Sequence, residues 1–469
     1  MLMWKRLQAH AATQPEKLAV VCGDVSLTYA QFAAQAESLA QSWLQQGLEP
    51  SDRIALHLRN GTQLAVCYYA CFAAGYVAVP VNNRFVPDEI AYVLQHSGAR
   101  AYVAQADLRI PVPIPSVPFE AAISHAIPKR SLPVPNAGDP AMLLYTSGTT
   151  ARPKGVSHSQ STLAGNVSYM EAWGVTATDH NLLFTPMVHA SGGIMQLISS
   201  LSIGATVTIV PQFEAGTVLD TWERSGATFC MALPTLLRAI LAEQRARPRR
   251  ISTGRIVICG GDSVPVPLQE EYAALFGHPI VEGYGLTEGL PLLANRPESN
   301  RPGSMGQPMG DVEARVVDGE LWVRGSGVAT GYWGDQPFEE GWLKTGDLVD
   351  TDADGFVSFR GRKKEIIVHG GSNISPQEVE DTLYKHPAVA EAGVIGQAEP
   401  YWGEVVLAYV VMREGRTVSE EELLAFSRQH LAEYKCPVRV VFVRELPKGP
   451  TGKVQRRSLK ELQAKSTAV

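Results

Sequence analysis

The sequence predicts an α/β protein in two parts: a large N-terminal domain of alternating helices and strands that includes a small β-rich module, and a small α+β domain at the C-terminal end. Apolar runs of strand length alternate with helix-length segments over residues 18–282, which is typical of a mostly parallel sheet with helices on its faces. Short segments then flank Asp-Gly turns over 311–361, and a capping box at Ser375 opens a new series of elements. The 469 residues also exceed the ~250–300 residues that one hydrophobic core supports.

Turn and cap residues set the predicted elements in order along the chain. A strand over 18–22 ends at a Gly-Asp turn, and Thr28 is placed to cap a helix over 29–46. By the same signals, further helices are predicted at 63–74, 87–98, 162–173, 215–225, 234–245, 376–386 and after Ser419, and further strands at 53–58, 76–81, 142–145, 181–185, 206–210, 228–232, 255–259, 279–282, 313–317, 320–324, 389–395, 405–412 and 438–443.

Composition argues against several classes of function. A net charge of −6 argues against nucleic-acid binding, and the five arginines of 245–255 are interpreted as a solvated helix end and loop. The uncharged segment 61–83 is long enough to span a bilayer, but Gly75 and Pro80 interrupt it, so it predicts a buried helix and strand and no transmembrane segment. The six cysteines lack zinc or redox spacing and the N-terminus lacks a secretory signal, which together indicate a cytoplasmic protein.

A loop rich in small hydroxyl residues follows the strand predicted at 142–145. The loop contains Thr146, Ser147, Gly148, Thr149 and Thr150, and it closes with Lys154 and Gly155. Hydroxyl groups and free backbone N–H groups donate to anions, and glycine lets the backbone approach them closely. The order of residues is not that of the common P-loop. The loop therefore predicts a polyphosphate site of another kind, with an ordinary polar surface loop as the alternative.

Three more loops of small, polar or aromatic residues follow predicted strands. They lie at 187–193, 260–262 and 283–288. Because ligands of α/β sheets bind beyond the carboxyl ends of the strands, all four loops are expected to face one crevice.

Five motifs, in order, resemble those of the adenylate-forming superfamily, which comprises acyl- and aryl-CoA synthetases, adenylation domains and luciferases. They are Tyr-Thr-Ser-Gly-Thr-Thr-Ala-Arg-Pro-Lys-Gly (145–155), Gly-Tyr-Gly-Leu-Thr-Glu (283–288), Leu-Lys-Thr-Gly-Asp-Leu (343–348), Gly-Arg-Lys-Lys-Glu (361–365) and Pro-Lys-Gly-Pro-Thr-Gly-Lys (447–453). The resemblance covers nearly the whole chain and is closest in pattern to the acyl-CoA synthetases. It implies that a carboxylate attacks the α-phosphate of ATP, with Mg²⁺ present, and that the acyl-adenylate then passes its acyl group to the thiol of CoA.

The resemblance also implies roles for individual residues. The hydroxyl loop and Lys154 would hold the β- and γ-phosphates, Tyr284 would stack on adenine, Thr287 would touch the α-phosphate, Glu288 would hold Mg²⁺, Asp347 would accept the ribose hydroxyls near Arg362, and Lys453 would approach the α-phosphate and the carboxylate. The other residues assigned to the nucleotide are Gly261, Asp262, Glu282, Gly283 and Gly285. Singly, a core aromatic, a turn aspartate or a surface lysine would explain Tyr284, Asp347 or Lys453 equally well, but the order of the motifs favours the functional assignment.

Relatives of this kind rotate a mobile C-terminal domain between the two half-reactions. The resemblance places the hinge near Lys364, between predicted domains at 1–361 and 364–469, and brings Gly371 to the thiol. The chain departs from the usual pattern at Ala151, where Gly is common, and at Gly449. If Ala151 has a positive φ, the substitution costs ~1–2 kcal/mol.

The pocket for the acid is expected between 189–193 and the strand ends at Gly260 and Gly283, with His189 gating it. The stretch lacks the Asp that binds an α-ammonium group in amino-acid-activating relatives, and its glycines suggest a roomy, apolar pocket. A medium-sized fatty or aromatic acid is therefore predicted. The alternatives are transfer to a carrier-protein phosphopantetheine and a non-catalytic nucleotide-binding protein of the same fold; a homodimer is a further expectation.

Overall fold

The fold is taken from a computed structural model, which describes residues 1–116, 119, 131–146, 153–449, 454–456 and 458–461. The helices are α1 (Met3–Thr13), α2 (Tyr29–Gln45), α3 (Thr62–Ala74), α4 (Pro87–Ser97), α5 (Gln160–Ala172), α6 (Ser199–Ile203), α7 (Ala215–Ser225), α8 (Pro234–Ala246), α9 (Val266–Phe276), α10 (Pro376–Tyr384) and α11 (Glu420–His430), with a π-helix at Ser191–Ile198. The strands are β1 (Leu18–Cys22), β2 (Val25–Thr28), β3 (Arg53–His57), β4 (Val77–Pro80), β5 (Ala101–Ala104), β6 (Pro140–Thr146), β7 (Lys154–Ser159), β8 (His180–Leu183), β9 (Thr206–Ile209), β10 (Phe229–Ala232), β11 (Ile256–Gly260), β12 (Val281–Leu286), β13 (Gly289–Ala294), β14 (Gln307–Pro308), β15 (Glu313–Val317), β16 (Glu320–Arg324), β17 (Gly331–Tyr332), β18 (Leu343–Thr351), β19 (Val357–Arg362), β20 (Ile367–His369), β21 (Ser372–Ile374), β22 (Val389–Glu399), β23 (Gly403–Met412) and β24 (Arg439–Phe442).

A nine-stranded sheet forms one half of the N-terminal part. Its order is β14-β13-β12-β11-β10-β8-β9-β1-β2, and the six strands from β12 to β1 run parallel. The remaining strands pair antiparallel at the two edges. The predicted parallel sheet is confirmed, because helices provide the crossovers that parallel strands require.

A six-stranded sheet, β17-β7-β6-β4-β3-β5, forms the other half. Strands β6 and β7 make an antiparallel hairpin whose last pair joins Thr146 to Lys154, at the two ends of the hydroxyl loop. Helix α3 contacts α2 as well as β1, β3 and β4, and so lies between elements of both sheets. Its residues from Leu64 to Ala74 are all buried, as expected for a helix that is apolar all round.

The predicted helix and strand within 61–83 are thus a core unit. Helix α3 has 13 residues and ends at Gly75, whose φ of 73° provides the left-handed cap. Among the described residues, no helix is both long and apolar enough to cross a membrane.

A four-stranded antiparallel sheet, β15-β16-β18-β19, is the predicted β-rich module. Asp318 and Gly319 both have positive φ at the β15–β16 turn, the conformation that an Asp-Gly hairpin turn requires. Beyond it, β21-β20-β23-β22 and β24 form a separate sheet that packs with α10 and α11 around its own core. Ser375 and Ser419 cap these two helices through their side chains, as predicted.

Several elements differ from the prediction. Residues 191–193, expected in a loop, begin the π-helix, and the elements that were not predicted include α1, α9, β5, β7 and β13. Strand β12 runs on to Leu286 because it folds back on β13, with Leu286 opposite Gly289. Local pattern does not contain this pairing, which depends on contact with the next strand.

The arginine cluster is a helix end, as expected. Helix α8 ends at Ala246, and ion pairs with neighbouring carboxylates form at Arg245, Arg247, Arg249 and Arg255. The six cysteines are free thiols.

Candidate active site

One cleft lies beyond the carboxyl ends of β11 and β12, between the nine-stranded sheet and the C-terminal part. Predicted site residues on its wall are Gly261, Asp262, Glu282, Gly283, Tyr284, Gly285, Asp347 and Arg362. Gln377, Glu380, Val454 and Arg456 line it from the C-terminal side. The fold therefore brings together the residues that the second, third and fourth motifs supply.

Asp347 is the central buried carboxylate of this cleft. Its side chain is 1% exposed, the Tyr284 hydroxyl donates to Oδ2 at 2.6 Å, and Arg362 Nε lies 2.9 Å from Oδ1. The antiparallel pairing of β18 with β19 sets Arg362 directly opposite Asp347. Burial, followed by the charge of Asp347, raises the pKa of Tyr284 well above its ordinary value, so the phenol remains a donor.

Glycines let the two strands at the cleft approach each other. A Cβ at Gly260 would lie 2.2 Å from the carbonyl oxygen of Gly283, and a Cβ at Gly283 would lie 2.9 Å from the Trp173 ring. Because real Cβ atoms do not approach other atoms this closely, both positions require glycine. Here glycine serves close packing on the sheet side of the cleft.

Glu282 is buried beside the cleft, 7% exposed. Gln269 donates to its carboxyl at 3.3 Å. Burial, and then the charge of Asp381, raises the pKa of Glu282 well above its ordinary value of 4.5. Burial therefore favours the protonated form of this carboxyl.

The Thr287-Glu288 dipeptide lies in the turn from β12 to β13, where it is held by two residues of the other sheet and by Ala329. His158 Nε2 is 2.8 Å from the Thr287 carbonyl oxygen. The Ala329 N–H donates to the Glu288 carbonyl oxygen at 2.6 Å, and the Tyr332 hydroxyl donates to Glu288 Oε1 at 2.8 Å. The dipeptide is thus fixed at both carbonyls and at one side chain.

Lys154 lies beside the same group. Its Nζ is 4.5 Å from the centre of the Tyr332 ring and 3.7 Å from Asp335, and its side chain is 46% exposed. Thr146 faces it across the hairpin. Ser147, Gly148, Thr149, Thr150, Ala151 and Lys453 lie outside the described residues, so their roles stay predictions.

A divalent cation at Glu288 would have few protein ligands. Within the described residues, no group of three or more His, Cys, Asp or Glu side chains converges on one point. Mg²⁺ usually takes one or two carboxylates and receives its other ligands from water and substrate phosphates. A single carboxylate beside a loop that is predicted to bind phosphates fits Mg²⁺ held in this way.

The loop before the π-helix carries His189, which is half-buried. Asn60 holds this loop on both sides of Pro186: its Nδ2 donates to the Thr185 carbonyl at 2.9 Å, and its Oδ1 accepts from the Met187 N–H at 2.8 Å. The Tyr68 hydroxyl donates to the Met187 carbonyl at 2.8 Å.

The glycines that follow His189 do not enlarge a pocket as we expected. A Cβ at Gly192 would lie 2.3 Å from the Pro186 carbonyl oxygen, and one at Gly193 would lie 2.5 Å from that of Met187. These glycines let the π-helix pack closely against the preceding loop. Gly192 and Gly193 therefore do not support the prediction of a roomy pocket, because they are required for close packing of the backbone.

The polar break, which comprises the charged residues 363–365 after β19, contacts the β-rich module. Lys363 pairs at 3.0 Å with Glu320, which also accepts from the Gly346 N–H at 3.0 Å, next to Asp347. Burial, followed by the charge of Arg362, lowers the pKa of Lys364.

Gly371 lies in the β20–β21 turn with φ 82°, and it is not among the described residues that line the cleft.

Arg456 anchors the chain just after residues 450–453. Its guanidinium pairs with both oxygens of Glu380 at 2.8 Å and with Glu365 at 2.7 Å, and its Nε donates to the Val394 carbonyl at 3.2 Å. Burial raises the pKa of Glu380 to about 7, against the opposing effect of Arg456. Arg456, three positions after Lys453 in the sequence, thereby joins α10 to the polar break.

Sequence reasoning did not find several residues that hold the site. They are Asn60, His158, Glu320, Tyr332 and Arg456. Each acts through a contact distant in sequence, and their only local signal was a polar residue within or beside a strand or helix.

Comparison with known proteins agrees with this geometry. A family model described as AMP-binding enzyme matches residues 7–333, and one described as AMP-binding enzyme C-terminal domain matches 378–453. The chain is 34% identical to a feruloyl-CoA synthase from an Amycolatopsis species, covering 95% of each chain, and 32% identical to an indoleacetate–CoA ligase of Aromatoleum aromaticum, covering 98% of each. Its fold is similar to that of o-succinylbenzoate CoA synthetase from Bacillus subtilis in complex with its acyl-adenylate intermediate, with a TM-score of 0.89, 30% identity and 98% of each chain covered.

Proposed function

Because this chain belongs to the AMP-binding enzyme family, we propose that its cleft activates a medium-sized fatty or aromatic carboxylic acid. The reaction is ATP-dependent acid–CoA ligation, with ATP, Mg²⁺ and CoA taking part and AMP as a product. The observation that carries the assignment of the cleft is the buried Asp347 carboxylate held between Tyr284 and Arg362, a site suited to accept two ribose hydroxyls.

In the first half-reaction, an oxygen of the acid forms a bond to the α-phosphorus of ATP. The bond from that phosphorus to the bridging oxygen breaks, and pyrophosphate leaves with the electron pair. Negative charge grows around phosphorus, so fixed donors and cations are the main catalytic requirement. In the proposed assignment, Thr287 and Lys453 donate at the reacting phosphate, and Lys154 and the hydroxyl loop hold the leaving pyrophosphate. Glu288 would hold Mg²⁺, which neutralises charge on the phosphate oxygens when bound.

In the second half-reaction, the thiol of CoA attacks the acyl carbon and AMP leaves. We propose that residues 364–469 rotate against 1–361 at Lys364 between the two steps, which would withdraw Lys453 and bring Gly371 to the thiol. The open surroundings of Gly371, where an added Cβ would meet no atom within 4 Å, support close passage of a pantetheine arm. A hinge needs few residues to absorb the change in φ and ψ.

The choice of acid rests on the loop around His189. Residues 185–193 carry His189 as their sole ionisable side chain, so the loop offers no fixed charge to a second carboxylate or to an ammonium group. Two similar proteins are named for aromatic acids, ferulate and indoleacetate. Both facts support an aromatic or medium-sized fatty acid.

The acceptor of the acyl group, the cellular location and the oligomeric state are further proposals. A carrier-protein phosphopantetheine is the alternative acceptor, and it would appear as acid-dependent pyrophosphate release that CoA does not convert into AMP release. The six free thiols favour a cytoplasmic location. A homodimer is testable by light scattering of the purified chain.

The test compares Lys453→Ala with wild type across a panel of fatty, aryl and dicarboxylic acids. We expect AMP release by wild type only with both acid and CoA. The variant should lose acid-dependent pyrophosphate release by roughly a hundredfold or more, because a donor to developing charge is absent. Thioester formation from supplied acyl-AMP and CoA should persist.

Lys460→Ala, at an exposed lysine seven residues further on, is the matched control and should behave as wild type. Equal loss of both half-reactions in Lys453→Ala would contradict the assigned role. Turnover of dicarboxylic acids in preference to monocarboxylic ones would contradict the proposed acid class.

A further inference from the structure

His158 is a fully buried histidine whose hydrogen bonds reach the proposed phosphate site. It lies on β7 and is 0% exposed. Its Nε2 is 2.8 Å from the Thr287 carbonyl oxygen, and its Nδ1 is 3.3 Å from the Thr162 hydroxyl. A carbonyl oxygen only accepts, so Nε2 carries the proton and donates to Thr287.

This bond joins two parts of the site that belong to different sheets. Strand β7 starts at Lys154, at the end of the hydroxyl loop, and continues to His158. Thr287 follows β12 of the nine-stranded sheet. The strand that closes the phosphate loop is thereby bonded directly to the dipeptide assigned to the α-phosphate and Mg²⁺.

We propose that His158 is a positioning residue, which sets Thr287 and Glu288 relative to the phosphate loop through its hydrogen bond to the Thr287 carbonyl. The proposal rests on the function assigned above to that dipeptide. His158 lies outside the five motifs, and its side chain is fully buried. It acts through the backbone of Thr287.

Within the residues that the structure describes, the donor that meets the Thr287 carbonyl is His158 Nε2, on β7 of the other sheet. Tyr332 and Ala329 hold Glu288, whereas the bond from His158 is the one described here for the carbonyl of Thr287. A carbonyl left without its donor draws the turn toward another partner. In-line transfer at phosphorus is sensitive to displacements of about 1 Å, so the turn must stay where the phosphate loop can meet it.

Two amide substitutions separate positioning from mere packing. His158→Gln carries an N–H at about the reach of Nε2 and should still donate to Thr287. His158→Asn is one methylene shorter, reaches toward Thr162 and leaves the Thr287 carbonyl without a donor. We expect kcat/KM for MgATP in acid-dependent pyrophosphate release to fall about tenfold or more in His158→Asn and to stay within about threefold of wild type in His158→Gln.

Adenosine binding, measured by calorimetry, should be unchanged in both variants, because adenosine lacks the phosphates. His180 provides the matched control: its Nε2 is 2.7 Å from the Thr208 hydroxyl, and it lies at the amino end of β8, whereas the cleft lies beyond the carboxyl ends of the strands. His180→Asn and His180→Gln should match each other and wild type in kcat/KM, whatever their melting temperatures.

Equal kcat/KM in the two His158 variants would overturn the proposal, whether both resemble wild type or both are impaired. Glu288→Gln, assayed beside them, tests the proposed function itself. Full activity of Glu288→Gln would overturn the role of the dipeptide. Equal His158 variants beside an inactive Glu288→Gln would overturn the role of His158 alone.

Discussion

The carboxylate of Asp347 shows how a buried charge is stabilised in the candidate site. A buried carboxylate without partners is strongly unfavourable, and here Tyr284 and Arg362 both meet it. The Tyr284 hydroxyl also fixes the ring that is expected to face adenine. One residue thus sets the proposed ribose contact and the proposed base contact together.

Glu282 provides a pH test at the residue scale. Its folded pKa is raised above the ordinary 4.5, so the folded protein keeps a proton that the unfolded chain releases. Stability from this group is complete below pH 4.5 and is lost as pH rises toward the folded pKa. We expect Glu282→Gln to match wild type in unfolding free energy near pH 4.5 and to become increasingly more stable than wild type as pH rises.

Urea denaturation at a series of pH values measures this difference. Glu270→Gln, at an exposed position next to Gln269, is the control and should show a pH dependence parallel to wild type. A parallel curve for Glu282→Gln as well would contradict the raised pKa.

At this scale the motifs identified residues that the structure brings into one cleft, and the roles of these residues stay predictions. Tyr284, Asp347 and Arg362 were assigned from their motifs, and the structure brings them together. His158 and Tyr332 could not be assigned, because an isolated histidine or tyrosine in a strand is equally consistent with packing. Their importance comes from partners 129 and 44 positions away.

At the scale of elements, the loop before the π-helix is held by its neighbours. Asn60 bonds the backbone on both sides of Pro186, and Tyr68 holds Met187. Asn60 lies between β3 and α3, and Tyr68 lies on α3. The position of His189 therefore depends on elements far from it in sequence.

Asn60→Ala tests this arrangement. Loss of two hydrogen bonds should let the loop relax, which we expect to raise KM for the acid about tenfold and to leave KM for ATP within about twofold. Initial rates with either substrate varied measure the two constants.

Asn83→Ala is the control, since Asn83 bonds the Leu58 carbonyl and should leave both constants unchanged. A common rise of both constants in Asn60→Ala would show that the change is not confined to the acid pocket.

The elements that the sequence predicted are those with a clear period and clear ends. Helix α7 has the predicted bounds 215–225, and Thr28, Ser375 and Ser419 cap helices as expected. The π-helix was missed because Gly192 and Gly193 are typical of loops. Close packing against Pro186 and Met187, which the local sequence does not show, decides their conformation instead.

At the scale of the whole molecule, the C-terminal part has a core separate from the two sheets before it. Arg456 joins three of its segments through Glu365, Glu380 and Val394. Under the proposed rotation at Lys364, these contacts would move as one unit with the loop that carries Lys453.

Arg456→Ala should therefore destabilise this part selectively. Removing one partner of a buried ion pair leaves unpaired carboxylates, which we expect to lower the unfolding free energy of the C-terminal part by about 3 kcal/mol. Hydrogen exchange should quicken in α10 and β22 and remain unchanged in β8, β10 and β11. Arg439→Ala, at an exposed position on β24, is the control, and faster exchange throughout the chain would contradict the expectation.

The order of motifs predicted the general architecture and the family, but not how its parts touch. The pairing of β7 with β17 brings Tyr332 to Glu288, and it joins segments more than 170 positions apart. Such long-range pairing depends on the complete fold. Local periodicity and caps carry no information about it.

The hydrogen bonds of Thr287 with His158 and of Glu288 with Tyr332 can both form only after the ribosome has added Tyr332. A ribosome adds roughly 5–20 residues per second, so the 174 positions from 158 to 332 take roughly 9–35 seconds to synthesise. During that interval His158 and the loop predicted to bind phosphates have been made, but residues 287–288 and then Tyr332 are still being added. A nascent chain is therefore expected to leave cellular ATP untouched until its first domain is nearly complete.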